Sequence, residues 1–160
     1  MNKIYIKPVI SDDIPIWIAL SHQYDAYASE LVPDLSVWYE GDENSMAFTD
    51  YMIAKIKKNE VFMAIDEQSD ICLGITAFSK TNNRITFFAV SHEVEFNNVG
   101  NMLIKHVLSR LDSTREVTVN ILKSNAPHII KEKELFGSFG FSIIGSQLEN
   151  GVPVYIMSKT

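Results

Sequence analysis

Hydrophobic and polar positions follow a period of two at the start of the chain and a period near 3.6 soon afterwards. Residues 3–9, KIYIKPV, alternate and are rich in β-formers, which predicts a first strand. Ser11, followed by two aspartates, supplies an N-cap and an acidic first turn for a helix that reaches about Ala28. A second helix is predicted from Asn44 or Ser45, where SMAFTDYMIAKIKKN places its apolar residues at helical spacing.

The middle of the chain predicts three consecutive strands, in residues 60–66, 71–80 and 84–91. The loops between them, EQSD and TNN, are short and polar, as is typical of antiparallel neighbours. The last of these strands runs through a turn into a helix whose apolar residues recur on one face as far as Leu111.

The C-terminal part predicts a further strand and helix and then a hairpin. These elements are a strand at 116–122, a helix from Pro127 to Gly137 or Gly140, and strands at 141–147 and 152–159. The whole order is β-α-α-β-β-β-α-β-α-β-β. It indicates an α/β (α+β) fold with a mixed, mostly antiparallel central sheet of about seven strands and helices on both faces.

Composition narrows the classes of function. A chain of 160 residues with 46% hydrophobic and 21% charged residues is typical of one globular domain, expected to span 1–160. The net charge of −6 argues against nucleic-acid binding. No apolar run reaches membrane-spanning length and the N-terminus has no signal core, so we expect a cytoplasmic protein that does not enter a membrane. Cys72 and the histidines show no metal-ligand spacing, so no metal is expected.

Two stretches carry a family resemblance. In residues 85–108 a strand, a short loop and a helix follow one another, and residues 136–141, FGSFGF, end the next helix. In order and spacing, the chain resembles the GNAT superfamily of acyl-CoA N-acyltransferases. That family has an Arg/Gln-x-x-Gly-x-Gly/Ala loop, whose three key positions fall here on Glu95, Asn98 and Gly100.

The resemblance implies that acetyl-CoA is the acyl donor and that the loop holds its pyrophosphate. Backbone N–H groups at a helix N-terminus bind phosphate without a basic side chain. Asn98 tolerates the left-handed conformation that such a turn needs, and Gly100 allows close approach, whereas the carboxylate of Glu95 repels phosphate. The implied cofactor-binding residues of this loop are Glu95, Phe96, Asn97, Asn98, Val99, Gly100 and Asn101. The alternative is that acidic residues merely favour the helix N-terminus in a protein that has lost the cofactor.

Two further cofactor contacts are implied by the family pattern. A bulge in the fourth strand, which would orient the acyl carbonyl with backbone N–H groups, corresponds to Phe88, Ala89 and Val90. Asn125 matches an asparagine that meets the pantetheine arm. Its alternative role is to cap the helix that begins near Pro127.

The catalytic positions are incomplete. The family's tyrosine acid, which protonates the departing thiolate, falls on Phe136, and a phenyl ring has no proton to give. His92 is the histidine nearest the acyl site in sequence and is the candidate base.

The acceptor side in this family is built from the first two helices and the loop between them. Aromatic residues there stand beside carboxylates and could receive an amine of a small molecule or peptide. They are Tyr24, Tyr27, Trp38 and Tyr39. The sequence therefore predicts an N-acetyltransferase, with a catalytically silent acyl-CoA or amine-binding protein as the alternative. Terminal strands of this fold often pair between subunits, so a homodimer is a further expectation.

Overall fold

A computed structural model describes residues 3–32, 43–91 and 95–160. The elements are β1 (Ile4–Pro8), a 3₁₀ turn (Ser11–Asp13), α1 (Ile14–Leu31), α2 (Glu43–Lys57), β2 (Val61–Asp66), β3 (Cys72–Ser79), β4 (Arg84–Val90), α3 (Phe96–Arg110), β5 (Val117–Leu122), α4 (Pro127–Ser138), β6 (Ser142–Glu149) and β7 (Val152–Lys159). This order is the one predicted from the hydrophobic pattern. None of the helices in these ranges is long and apolar enough to cross a membrane.

The start of α1 differs from its prediction in detail. Ser11 lies in the 3₁₀ turn and does not cap α1 with its side chain. The side chain that stabilises this turn is that of Asp13, whose carboxylate accepts a hydrogen bond of 3.0 Å from the N–H of Ile10. The helix also continues three residues beyond Ala28, to Leu31. Helix ends depend on local caps and on packing, so a boundary predicted from composition is the least certain part of an element.

All seven strands form one sheet in the order β1-β2-β3-β4-β5-β7-β6. Every neighbouring pair is antiparallel except β4 and β5, which run parallel. The predicted mixed, mostly antiparallel sheet is therefore confirmed. The β6–β7 hairpin closes through Asn150 and Gly151, whose φ values of 53° and 83° suit a tight turn between twisted strands.

Helices cover both faces of the sheet. On one face, α1 and α2 pack through Trp17 and Met52 against Ile75 and its neighbours in β2–β4. On the other face, α3 and α4 pack through Leu103 and Phe136 in the larger of the two hydrophobic clusters. Alternate residues of β2 thus enter opposite cores, as the two-residue period of a strand requires.

Strand β4 contains a bulge at a different place from the one implied by the family pattern. Its register against β3 shifts between Ala77–Phe87 and Phe78–Ile85, which leaves Thr86 as the extra residue. Phe88, Ala89 and Val90 pair regularly with β3. The expectation of a bulge at those three residues is wrong. Residue composition carries no signal for it, because a bulge follows from how two distant strands are matched.

Candidate active site

A cleft opens where the two parallel strands separate. Strand β4 pairs with β5 at Arg84 and Ile85, opposite Thr118 and Val119, and with no later residue. Beyond Ile85 the facing backbone groups of β4 and β5 are not bonded to one another. The gap between the strands continues into a cleft of about 210 Å³ whose walls come from α1, α2, β4, β5, α4 and the β6–β7 turn.

The N-terminus of α3 follows β4 directly. Glu95 is its N-cap residue, is exposed, and makes no hydrogen bond with its side chain to the helix. The first intrahelical bond runs from the N–H of Val99 to the carbonyl of Glu95, 3.2 Å. The N–H groups of Phe96, Asn97 and Asn98 precede that bond and find no acceptor in the ranges that the structure describes. These donors, at the positive end of the helix dipole, suit an anionic group such as a pyrophosphate.

The backbone of this segment corrects two expectations. Asn98 lies within the first turn of α3 and has helical, not left-handed, backbone geometry, so the predicted left-handed turn at Asn98 is wrong. Gly100 is buried in the same helix, and a Cβ placed on it would lie 2.3 Å from Cδ2 of Leu135 in α4. The close approach that Gly100 permits is therefore made by α4 and not by a ligand. Asn101 is half-buried one position further along α3.

Acidic and phenolic groups lie together in one part of the cleft. Tyr24 and Asp25 of α1, Glu132 of α4 and Glu149 of β6 line it together. The pKa of Tyr24 is raised, first by burial and then by the negative charges of Glu149, Asp25 and Glu132. Tyr27, also in the lining, has a pKa raised by burial and by nearby carboxylates. This part of the cleft therefore attracts a cation.

One cation of the protein is already engaged there. Nη2 of Arg84 lies 3.0 Å from Oε2 of Glu149, and Nδ2 of Asn120 donates a hydrogen bond to the same carboxylate oxygen. Arg84 thus balances the charge of Glu149, while the carboxyl groups of Asp25 and Glu132 also line the cleft. Next to this group, Tyr51 and Thr86 share a hydrogen bond of 2.6 Å, so the residue at the β4 bulge presents its hydroxyl to the cleft.

Phe136, which the family pattern places at the tyrosine acid, does not line the cleft. Its side chain is fully buried. Its ring centroid lies 5.0 Å from that of Phe88 and 5.3 Å from that of Phe141, both in edge-to-face geometry. Phe88, together with Ala89, does line the cleft, whereas Val90 is fully buried in the core below it. Phe136 therefore supports the wall of the cleft from behind.

His128 connects three helices beside the cleft. Its ring stacks on Tyr27 of α1 at 6.1 Å and meets Phe96 at the start of α3 edge-on at 4.9 Å. His128 of α4 thus links the N-terminus of α3 to the part of the cleft lined by Tyr27. Phe96 and Val99 are otherwise buried in the core.

The remaining predicted residues have different outcomes. Asn125 is exposed and lies outside the cleft lining. Ala126 is the N-cap residue of α4 and no side chain caps that helix, so the alternative role of Asn125 as a cap is wrong. His92, Trp38 and Tyr39 lie outside the described residues.

Sequence reasoning missed several residues that the fold brings into the cleft. They are Asp25, Tyr51, Arg84, Thr86, Asn120, His128, Glu132 and Glu149. One of them, Glu132, could have been found from the sequence. It precedes Phe136 by four residues, and a helix places residues at that spacing on the same side. The others come from separate strands and helices with no shared local pattern. No group of three or more His, Cys, Asp or Glu arranged to hold a metal occurs among residues 3–32, 43–91 and 95–160.

A family model described as an acetyltransferase (GNAT) domain matches residues 28–160. The chain belongs to the GNAT acetyltransferase family. It is an acyltransferase, and as a member of that family it transfers acyl groups from a CoA thioester. By sequence alone, no curated protein matches the chain at a significant level.

Solved structures share the GNAT fold over almost the whole chain. The PaiA N-acetyltransferase from Thermoplasma acidophilum in complex with coenzyme A has a TM-score of 0.71 at 12% identity and covers 99% of each chain. Naa50 from Arabidopsis thaliana, in complex with the bisubstrate analogue CoA-Ac-MVNAL, has a TM-score of 0.66 at 16% identity and covers 98% of each chain. Apo-form YjaB from Escherichia coli has a TM-score of 0.65 at 17% identity and covers 99% of this chain and 98% of its own.

The residues of this GNAT acyltransferase fit a CoA thioester in two respects. The unpaired N–H groups at the start of α3 suit its phosphates, and the unpaired edges of β4 and β5 suit the amide groups of its pantetheine arm. When bound, the thioester supplies an activated acyl carbon. The protein's own residues have to hold that group, receive the acceptor and move protons.

Proposed function

We propose that this enzyme acetylates the amine of a small cationic molecule, with acetyl-CoA as donor and direct attack of the amine in a ternary complex. The observation that carries the proposal is the acidic, tyrosine-lined cleft at the point where β4 and β5 separate.

The acceptor would be recognised by charge and by aromatic contact. Asp25 and Glu149 place carboxylates in the cleft, and Glu149 is paired with Arg84. An alkylammonium group gains from such carboxylates through charge-assisted hydrogen bonds and from tyrosine rings through cation–π contact. Before attack, the ammonium must lose a proton, so the cleft binds the charged form and the reaction uses the neutral one.

The donor would lie along the seam between β4 and β5 with its phosphates at α3. Phe96, Asn97 and Asn98 would hold phosphate oxygens with backbone N–H groups, and Phe88 and Ala89 would flank the pantetheine arm. Holding donor and acceptor in one cleft lowers the entropic part of the barrier, which is the main contribution that a direct-transfer enzyme needs from its fold.

The first experiment measures ligand binding and transfer together. Acetyl-CoA and CoA should raise the melting temperature, because a ligand that binds only the native state stabilises it. Thiol release should follow when amines are added, most strongly with small di- and polyamines and less with neutral amines or peptides. A melting-temperature shift without thiol release for any amine would instead support a silent CoA-binding protein. No shift at millimolar acetyl-CoA would contradict the proposal.

A matched pair of variants tests the acceptor site. Asp25→Asn removes one carboxylate from the cleft and should raise KM for a cationic amine several-fold while leaving KM for acetyl-CoA unchanged. Glu67→Gln makes the same change of charge at an exposed residue outside the cleft and should leave both constants unchanged. Equal behaviour of the two variants would show that Asp25 does not recognise the acceptor.

A further inference from the structure

The family's tyrosine acid is replaced by Phe136 in the family pattern, so the proton for the departing CoA thiolate has to come from another group. Phe136 has no hydroxyl, is fully buried, and is held between the rings of Phe88 and Phe141. When the C–S bond of a thioester breaks, the electron pair leaves on sulfur. A positioned acid that protonates it speeds the step by typically 10²–10⁴-fold.

Glu132 stands one helical turn before Phe136. A separation of four residues places both on the same side of α4, with Phe136 behind the cleft wall and Glu132 in its lining. Within the described part of the chain, the Glu132 carboxyl has no hydrogen bond and no salt bridge. Glu132 therefore lines the cleft with a carboxyl group that no other described residue binds.

We propose that Glu132 is the proton donor to the departing CoA sulfur and takes the role that a tyrosine at position 136 would have. This rests on the proposed function, because the donor thioester and the acceptor amine must meet in this cleft. Both reacting heteroatoms are attached to the same carbon at the moment of transfer, so one carboxyl within reach of the sulfur is also near the nitrogen.

The Glu132 carboxyl alone can both give and take the proton that the reaction moves. The lone pair of the amine forms the C–N bond as the C–S bond breaks, and the Glu132 carboxyl gives its proton to the sulfur. The resulting Glu132 carboxylate then takes the N–H proton that the nitrogen must lose. The products are the amide and the CoA thiol, and Glu132 ends in the protonated state in which it began. No base outside the cleft is needed for this step.

Electrostatics favour Glu132 over the tyrosines nearby. Burial raises the pKa of Glu132 to about 8, close to the value of about 8.5 for an ordinary thiol, so a proton passes between them at little cost. Burial and neighbouring carboxylates raise the pKa of Tyr24, and burial raises that of Tyr51, so both phenols hold their protons too tightly. The titratable and charged groups around Glu132 are Tyr24, Asp25 and Tyr27 of α1, Tyr51 of α2, Arg84 of β4, Glu149 of β6 and His128 of α4.

The first test reads the proton directly and does not depend on turnover. In protein labelled with ¹³C at the glutamate carboxyl, the Glu132 resonance is the one absent from Glu132→Gln. We expect it to titrate near pH 8, well above the ordinary value of 4.5. Titration in the ordinary carboxyl range would overturn the proposal, because Glu132 would then have no proton to give at neutral pH.

The second test separates proton donation from substrate binding. Glu132→Gln should lower kcat by about 10²–10⁴-fold with little change in KM for the amine. We expect the rate of the parent to decline as the pH rises through about 8, where Glu132 gives up its proton, and Glu132→Gln should lose that decline. Glu134→Gln, on an exposed position of the same helix, is the matched control and should behave as the parent. Glu132→Ala should recover part of its rate with added imidazole, which a purely structural role would not allow.

The outcomes distinguish the two proposals. If Glu132→Gln raises KM for the amine and leaves kcat unchanged, Glu132 binds the acceptor and does not donate the proton. If the parent releases thiol and Glu132→Gln does so equally well, only the proton-donor assignment fails. If the parent releases no thiol with any amine while still binding CoA, the proposed function fails, and the assignment with it.

Discussion

Asn83 shows how much of the fold one side chain can hold. It is fully buried at the β3–β4 turn with φ of 51°, and its amide joins that turn to the loop after α3. Nδ2 donates to the carbonyls of Asp112 at 3.0 Å and Glu116 at 3.1 Å, and Oδ1 accepts from the N–H of Asp112 at 2.8 Å. These bonds fix the segment that leads into β5, and so fix where β5 starts beside β4.

Two substitutions of Asn83 should separate the contribution of its side-chain hydrogen bonds to stability from that of its tolerance of positive φ. Asn83→Gly keeps the left-handed backbone and loses the side-chain bonds, which should cost about 2 kcal/mol of unfolding free energy. Asn83→Ala also strains the backbone and should cost roughly 1 kcal/mol more. Asn82→Ala, an exposed neighbour, is the control and should change little. Urea denaturation measures all three, and equal stability of Asn83→Ala and Asn82→Ala would show that the amide does not link the loops.

At the scale of elements, α3 and α4 approach closely because Gly100 has no side chain. A Cβ at Gly100 would lie 2.3 Å from Leu135, which is itself buried, so one helix or the leucine must shift to admit it. This contact allows α4, which carries Glu132 and Phe136, to pack closely on α3. A glycine that sequence reasoning assigns to a ligand thus serves helix packing.

Gly100→Ala should destabilise the protein by about 1–3 kcal/mol, although alanine favours a helix over glycine by up to about 1 kcal/mol. Gly137→Ala is the matched control, because a Cβ at Gly137 in α4 meets nothing within 4 Å. That variant should be neutral or slightly stabilising. The double variant Gly100→Ala with Leu135→Ala should lose less than the two single losses added together, since the new methyl enters space that the leucine leaves. Additive losses in urea denaturation would exclude the contact.

Glu60 links α2 to the end of β3. Its carboxylate accepts a hydrogen bond of 2.6 Å from the N–H of Lys80 and lies 3.2 Å from Nζ of Lys55. Burial alone would raise the pKa of Glu60, but the bonds from Lys80 and Lys55 outweigh burial and lower it from the ordinary 4.5.

The lowered pKa of Glu60 predicts the direction of its effect on stability. The unfolded state takes up the proton at a higher pH than the folded state does. The stabilisation is therefore fully present above about pH 4.5 and is lost as the pH falls through the lower folded value. Glu60→Gln should be less stable than the parent at pH 7, and the difference should shrink at acid pH. Unfolding free energies across this range measure it, and a constant difference would contradict the prediction.

At the scale of the whole molecule, a chain of net charge −6 has to bind an anionic donor. In the proposed complex, the attraction would come from the backbone N–H groups at the start of α3, and the carboxylate of Glu95 at its N-cap would oppose it. Glu95→Gln should tighten CoA binding by on the order of 1 kcal/mol or less, because the carboxylate is exposed. The gain should shrink as salt rises. Calorimetric titration at two salt concentrations measures it, with Glu67→Gln as a control of equal charge. Equal affinities of parent and Glu95→Gln at low salt would exclude phosphate binding at this helix.

The sequence by itself determined the order of elements and the faces that they bury. Hydrophobic period is a local property, and residues such as Val99 and Leu103 carry it whatever the rest of the chain does. The same holds for the turn at Asn150 and Gly151, whose residue types tolerate positive φ. The family resemblance of 85–108 and 136–141 rested on such local order, and the family match bears it out.

Only the tertiary structure decided what the cleft contains. Glu132, Glu149 and Asp25 come from different elements and line one cleft, which opens where β4 and β5 separate after Ile85. No local pattern encodes that separation, because it is a feature of strand pairing. Gly100 acquired its role in the same way, from a leucine of another helix. Period and turn chemistry act over a few neighbouring residues, whereas register, splay and helix approach depend on contacts between residues far apart in the chain. The cleft is formed by such long-range contacts.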